Sequence, residues 1–455
     1  MIDIKQIREN PERFKKAARD KHIDVDIDKL LRFDSDLKKY KLKLQDVSTE
    51  INSIGKEVPD LQGEEKQRAI EQLKGLKQEV AELSKSNKGF QDWIDKTLLL
   101  VPQPADDDVR LGKDDTENVE IRKEGKVRQF DFEPNDHVQL GTALGIIDIE
   151  RGVKLAGTRN YILKGDGALL HWAVLRFAMD YMVGKGYVPM SVPVLMKDEA
   201  MTGTGFFPGS EDQTYRMEAD QLNLAGTAEV PLTAYRMGEI LKAEELPKKY
   251  VAMSTCFRRE AGAAGKDTYG LYRIHQFDKV EQVVICENSV KESNKFHEEI
   301  LANAEGVMKA LELPYRVVNV CTGDLGRGQA KKYDIEAWMP SRKNYCETHS
   351  ASKFYEFQAR RMNLRYKESK ETTDYTDYAD KIKNKELKSV KSVKSAVSIR
   401  KSKIQFCHTL NNTVIASPRI LIPILELYQN ADGSVTIPRV LRPYMSGKEK
   451  IVKHK

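Results

Sequence analysis

The residues best placed to do chemistry lie in one continuous string. Cys256-Phe257-Arg258-Arg259-Glu260 runs into a stretch holding Gly262, Gly265 and Gly270, and then into Ile274-His275-Gln276-Phe277-Asp278-Lys279-Val280-Glu281. The order reads as strand, glycine-rich loop, strand. Arg258 and Glu260 are two apart, so on a strand they share a face. Such a pair is either a structural ion pair or a grip on two ends of one ligand, with the guanidinium on a phosphate and the carboxylate on an amine. R-x-E by itself says little. The whole string, with G-x-x-G in the loop and H-Q-F and K-V-E after it, is specific. The chain holds neither G-x-G-x-x-G nor G-x-x-x-x-G-K-[ST], so a nucleotide site here is neither Rossmann-like nor a P-loop.

These residues need a scaffold, and the chain beyond residue 105 reads as a mixed one. Residues 145–154, 169–185 and 287–312 read as helices. Residues 188–194, 222–225, 249–255, 279–286 and 315–320 are rich in Val, Tyr and Ile, bounded by Gly, Pro or Lys, and read as strands. Runs of strands without strict alternation predict an α+β domain on a mainly antiparallel sheet flanked by helices.

The first hundred residues differ in kind. Leu37, Tyr40, Leu44, Val47, Ile51 and Ile54 recur at alternating spacings of three and four, the seam of a coiled-coil helix. After a break at Val58-Pro59-Asp60-Leu61-Gln62-Gly63 a second seam runs through Ile70, Leu73, Leu76, Val80, Leu83, Asn87, Phe90, Ile94 and Thr97. Two helices of similar length around a Pro/Gly break predict an antiparallel hairpin at about 28–101. Each helix of about 35–40 residues spans roughly 55 Å. Asn87 on the seam is expected to fix register. Such an arm serves either dimerisation or the grip of a long partner. Lys38, Lys39, Lys41 and Lys43 give it a face that is solvated or meets phosphates. Val101-Pro102-Gln103-Pro104 closes it as a linker, dividing the chain into 1–104 and 105–455. Residues 366–403, with Lys388-Ser389-Val390 repeated directly after itself, are basic and of low complexity and read as a surface loop.

A length of 455 residues predicts two or three domains, and 40% apolar with 32% charged residues fits a soluble enzyme. The net charge of +6 permits an anionic partner without requiring one. Five cysteines, none at C-x-x-C spacing, argue against a disulfide framework or a thiolate zinc site. The charged N-terminus lacks an apolar signal core, and no apolar run is long enough to span a membrane. A cytoplasmic protein with reduced thiols is the expectation.

The string 255–281 resembles motif 2 of the class II aminoacyl-tRNA synthetases, in the form found in seryl-tRNA synthetases. Gly186-Tyr187-Val188-Pro189 through Val192-Pro193 (motif 1, about 186–194) is similar to that family's dimer-interface segment. Gly226-Thr227-Ala228-Glu229 looks like its serine-binding T-A-E loop, Glu347-Thr348-His349-Ser350 stands where it has Glu-Ile-Ser-Ser, and Ser417-Pro418-Arg419 resembles motif 3 (about 411–429). Phe357-Gln358-Ala359-Arg360-Arg361 and the tail from Pro438 to Met445 also fit. The arm resembles the one this family uses on the long variable arm of serine tRNA.

The resemblance implies a serine–tRNA ligase that uses ATP and Mg²⁺, acts on L-serine and tRNA(Ser), extends to tRNA(Sec), and works as a homodimer through its catalytic domain. The chemistry agrees. The serine carboxylate is already ionised, so attack on the α-phosphate of ATP needs positioning and charge neutralisation rather than a nucleophilic triad. By resemblance, Arg258, Glu260 and Arg419 are catalytic. Arg258, Arg259, Glu260, Ile274, Phe277, Glu347, Thr348, His349, Ser350 and Arg419 are the ATP-binding set. Phe277 and Arg419 cover the two faces of the adenine, the backbone near Ile274 reads its edge, and Glu260 takes its amino group. Glu347 and Ser350 offer hard oxygens to the metal. Thr227, Ala228, Glu229, Arg258, Glu281 and Thr413 bind serine; which carboxylate takes the amine stays open. His275 is expected to be structural, and Cys256 and Cys346 to be filler.

Four departures stand out. Asn411-Asn412-Thr413-Val414-Ile415 replaces the family's Asn-Gly-Ser-Gly-Leu, losing two glycines. Thr348-His349 replaces Ile-Ser, and His349 would either touch a phosphate or fill space. Pro423 falls inside the motif 3 helix if Pro418 is its first residue, at a cost of roughly 3 kcal/mol. The basic stretch at 366–403 stands where the family has a short connection. Two other readings compete: a paralogue that loads a carrier protein, which would lack the arm, and a catalytically silent RNA-binding coiled-coil protein.

Overall fold

The computed structural model describes residues 1–262, 265, 267–368 and 403–453; residues 369–402 of the expected basic loop lie outside them. The backbone gathers into two units, 1–119 with 319–332, and 120–318 with 333–455. The proline linker lies inside the first unit.

In the first unit, α1 (Ile27–Glu57) and α2 (Gly63–Leu98) form the hairpin. Asp26 caps α1 by accepting from the Lys29 N–H at 2.8 Å, and Pro59 sits in the single 3₁₀ turn between the helices. The start of α1 meets the end of α2. Phe33 contacts Phe90 edge-on at 5.0 Å and Trp93 at 4.4 Å, while Lys43 pairs with Glu79 at 2.7 Å and Glu50 accepts from Gln72 at 3.0 Å. At the base, Arg8 grips Asp34 through two hydrogen bonds of 2.6 and 2.7 Å.

Two seam assignments change. Ile70 is exposed, and Ala69, four residues before Leu73, is half-buried. Asn87 is half-buried, but its Oδ1 meets no partner among the described residues, so it does not tie the two helices together.

The second unit is built on eight strands: β1 (Val119–Glu124), β2 (Val188–Met190), β3 (Lys248–Phe257), β4 (Gln276–Cys286), β5 (Tyr315–Asn319), β6 (Lys331–Met339), β7 (Asn344–Tyr355) and β8 (His408–Ser417). Their order is β1-β5-β6-β7-β8-β4-β3-β2. The pairs β7–β8, β8–β4 and β4–β3 are antiparallel, and β2 joins β3 in parallel at the edge. The α+β class read from the sequence is therefore the observed one.

Two helices, α3 (Asp166–Gly184) and α5 (Val290–Ala310), cover one face of the sheet. Leu170, Val174, Ala178 and Met182 of α3 and Ile300, Ala304 and Val307 of α5 are buried against Val280 and Val284 of β4. Each of the Leu, Val, Ile and Met side chains among these contributes about 1.5–3 kcal/mol. The other face carries a smaller cluster of Ala228, Leu232, Val283 and Ile285.

Two helix boundaries move for physical reasons. The helix expected from 145 begins at Ile149, because Gly145 at φ +71° closes the preceding helix and the Asp148 carboxylate caps the new one through the Arg151 N–H. The motif 3 helix, α6 (Leu421–Leu427), starts three residues later than expected. Pro423 is then in its first turn, where backbone N–H groups have no helical acceptor, so the expected penalty does not arise.

Candidate functional site

Alternation along β4 sorts its side chains between two faces. Phe277, Lys279 and Glu281 fall on one face; Asp278, Val280 and Gln282 fall on the other, toward α3 and α5. The first three form the floor of the site. Lys279 and Glu281 are both buried and form an ion pair at 2.5 Å. The hydroxyl of Thr227 donates to the same Glu281 oxygen at 3.5 Å, and that of Thr413, which lies opposite Glu281 in the β4–β8 register, at 3.4 Å. Among the described residues no protein donor reaches the other Glu281 oxygen.

Glu229 opens the short helix α4 (Glu229–Ala234). Its backbone N–H donates to the Thr227 hydroxyl at 3.1 Å, and its carboxylate accepts from Gln358 at 2.9 Å. Burial pushes the Glu229 carboxyl up to about 7; the Glu281 charge adds to the rise, and Lys279 and Gln358 oppose it. Lys279 therefore pairs with one of the two carboxylates, and Glu229 has no ion-pair partner among the described residues.

Arg258 follows the last residue of β3. Its Nε donates to the Gly226 carbonyl at 3.4 Å, next to Thr227, and its guanidinium lies 5.2 Å from the Phe277 ring centre. A cavity of about 480 Å³ opens beside it, lined by Phe206, Gln213, Gly226, Arg258, Glu260 and Arg273. Arg419 reaches back over Tyr272. Its Nε donates to the Tyr272 carbonyl at 3.2 Å, its guanidinium lies 4.4 Å from that ring, and Nη1 stands 3.9 Å from the Glu347 carboxylate. Arg342 reaches the same ring at 3.9 Å and pairs with Asp267 at 2.7 Å. The glycine-rich loop returns through Gly270 (φ +74°), where a Cβ would lie 2.2 Å from His137 Nε2. That nitrogen accepts the Leu271 N–H at 3.1 Å.

Several expected roles need correction. Arg258 and Glu260 do not share a strand face: β3 ends at Phe257, and Glu260 sits at φ +52° with its carboxylate held by Arg273 at 2.6 Å. Thr348 and His349 do not line a nucleotide site. Both are buried; Thr348 donates to the Ile335 carbonyl, and His349 bonds Thr348 at 2.8 Å and the Val414 carbonyl at 3.0 Å. Burial depresses the His349 imidazole to about 4, so it stays neutral. Glu347 and Ser350 remain at the surface of β7, Glu347 with its side chain 47% exposed. The Ala228 side chain is buried in the smaller cluster, and Ile274 is buried, leaving only their backbones for a ligand. Arg259 is exposed, with its backbone N–H on the Gln213 carbonyl. His275 accepts the structural reading: Nδ1 bonds the Arg258 carbonyl at 3.0 Å. All five cysteines are buried and unpaired.

Lys279, Gln358 and Arg273 escaped the sequence reading. For Lys279 the signal was present, since K-x-E on a strand places both charges on one face. For Gln358 and Arg273 only the fold supplies the partner.

Comparison with known proteins now decides the family. Residues 1–104 match the seryl-tRNA synthetase N-terminal domain, and residues 213–377 match the tRNA synthetase class II core domain (G, H, P, S and T). The chain is 43% identical to the serine–tRNA ligase of Deinococcus radiodurans, over 99% of this chain and 98% of that one. The chain belongs to the seryl-tRNA synthetase family. The crystal structure of the seryl-tRNA synthetase of Pyrococcus horikoshii complexed with ATP superposes with a TM-score of 0.87 at 35% identity, covering all of both chains. The cytoplasmic serine–tRNA ligase of Naegleria fowleri, in complex with AMP, gives 0.83 at 29% identity, covering 100% of this chain and 99% of that one. Neither competing reading finds support in these relatives.

Family membership sharpens the departures. His349 and Val414 replace a serine and a glycine of the family pattern, and here the His349 ring bonds the Val414 backbone carbonyl across β7 and β8. No residue from 411 to 415 has a positive φ, so the lost glycines leave no strain.

Proposed function

We propose that the protein is a serine–tRNA ligase, with 1–104 as a tRNA-binding domain and 105–455 as the catalytic domain. The observation that carries the reading is a pocket with two unlike carboxylates, Glu229 and Lys279-neutralised Glu281, joined through Thr227 and Gly226 to Arg258. Glu229 takes the serine ammonium. The free oxygen of Glu281, with Thr413, takes the hydroxyl. A pocket that hydrogen-bonds a hydroxyl rejects alanine strongly, because its buried polar groups would be left unpaired.

The carboxylate thus faces Arg258, whose fork can hold it against the α-phosphate of ATP. A carboxylate oxygen bonds to the α-phosphorus as the bond to the β-phosphate oxygen breaks, giving seryl-adenylate and pyrophosphate. The 3′ hydroxyl of tRNA(Ser) then attacks the acyl carbon and AMP leaves. Arg419 and Phe277 hold the adenine. Glu260, engaged with Arg273, acts at the edge of the nucleotide cavity.

No cluster of three metal-binding side chains occurs among the described residues. Exposed Glu347 and half-buried Ser350 nonetheless fit Mg²⁺, which keeps waters and phosphate oxygens and needs few protein ligands. When bound, the ion neutralises phosphate charge. No described helix is long and apolar enough to cross a membrane, and we assign the protein to the cytoplasm. Exposed apolar residues on α3, β2 and β3, namely Trp172 (62%), Val188 and Met253, support a homodimer through the catalytic domain. The arm supports binding of tRNA(Ser) and, where it exists, tRNA(Sec).

Serine-dependent pyrophosphate exchange tests the reading. Exchange specific to serine among the twenty amino acids is expected, and Arg258→Ala should lower it by about 10²–10³. No exchange above background would sink the assignment.

A further inference from the structure

Three residues on neighbouring strands stand side by side. Thr255 of β3 lies opposite Asp278 of β4, and Asp278 lies opposite Ser417 of β8. Cross-strand partners share a face. This is the face away from Phe277, Lys279 and Glu281. From α3, His171 reaches into the row: Nε2 bonds Asp278 Oδ2 at 2.9 Å, and Nδ1 bonds the Ser417 hydroxyl at 2.8 Å. The Thr255 hydroxyl donates to the second Asp278 oxygen at 2.7 Å. His171 and Ser417 are buried. Burial raises the Asp278 carboxyl, but the bonds from His171 and Thr255 outweigh it and hold the group below its usual range.

A serine, a histidine and an aspartate in hydrogen-bonded series have the outline of a nucleophilic triad. That role is closed here, because Ser417 has no exposed surface and lies behind the sheet from any substrate. The row instead has a position in the chain that matters. Asp278 directly follows Phe277, and Ser417 stands two residues before Arg419, where β8 ends. Glu281 and Thr413 lie farther along the same two strands and are joined by a hydrogen bond of their own that does not involve His171.

We infer that His171 is a positioning residue for ATP: by bonding Asp278 and Ser417 together it sets the spacing of Phe277 and Arg419. The inference rests on the reading of those two residues given above. Losing the imidazole removes this side-chain tie next to Phe277 and Arg419, while the β4–β8 ladder and the Glu281–Thr413 pocket stay in place. The damage is therefore selective for the nucleotide.

Calorimetric titration of the full-length protein with ATP, and separately with L-serine, tests this. His171→Ala should weaken ATP binding about tenfold while serine binding stays within about twofold. His171→Gln, whose amide can still donate to Asp278, should recover most of the loss. Ser417→Ala removes a single hydroxyl and should weaken ATP alone, by about threefold; it decides the matter if His171→Ala does not fold. Unchanged ATP affinity in the folded variants, or equal weakening of ATP and serine, overturns the inference. Wild-type protein that binds ATP without exchanging pyrophosphate would defeat the ligase reading and leave the His171 comparison valid. Wild-type protein that binds no ATP overturns both.

Discussion

Glu229 and Glu281 are the same residue type with different tasks, and Lys279 makes the difference. An ammonium neutralised by one carboxylate leaves the other to seek its own cation. In the role proposed for it, Glu229, raised to about 7, must lose its proton before it can hold the serine ammonium. The KM for serine should therefore fall as pH rises from 6 to 8, while the KM for ATP changes little. Glu229→Gln should flatten that dependence and raise the serine KM by about ten- to hundredfold. Exchange kinetics over this pH range check it, and an unaltered pH profile in the variant would assign the titration elsewhere. The same carboxylate acts on stability with the opposite sign. Its folded value lies above that of the unfolded chain, so its contribution is full below about 4.5 and is lost as pH rises through about 7.

Among the elements, α1 and α2 act as one unit because neither has another apolar face to bury. Their joint seam, with the Phe33–Phe90–Trp93 cluster at its base, is the core of the arm. Deletion of 30–97 should spare serine-dependent pyrophosphate exchange and abolish tRNA charging. Parallel loss of both activities would refute a separate tRNA grip. The paired strands β7 and β8 make a second point. His349, read singly as a departure, bonds the backbone carbonyl of Val414 on the neighbouring strand, so the fold gives its imidazole a buried partner.

For the whole molecule, the sheet has one face closed by α3 and α5 and the other given to the site. The remaining apolar surface on α3, β2 and β3 is where a second copy would sit. Trp172→Glu should shift the protein from dimer to monomer in sedimentation experiments. A native-like dimer in this variant would move the interface elsewhere. α3 carries Trp172 on its exposed side and His171 toward the sheet, so the proposed interface and the proposed positioning residue share one helix.

Period and motif by themselves determined the two-helix arm, the α+β core and the family, and they named the residues proposed for the site: Arg258, Phe277, Glu281, Thr227, Glu229, Thr413 and Arg419. Repeats of three and four and alternation of two are local properties, and motif residues sit at fixed spacings. What needed the tertiary structure depends on neighbours far apart in the chain. Ile70 looked like a seam residue and is exposed, because the partner helix chooses the face. Glu260 was expected on one strand face with Arg258 and is held by Arg273 instead. His349 looked phosphate-facing and is buried against Val414. Pro423 looked costly until the helix was seen to start at Leu421. Burial, pairing and charge compensation, as at Lys279 and His171, arise only where separate strands and helices meet.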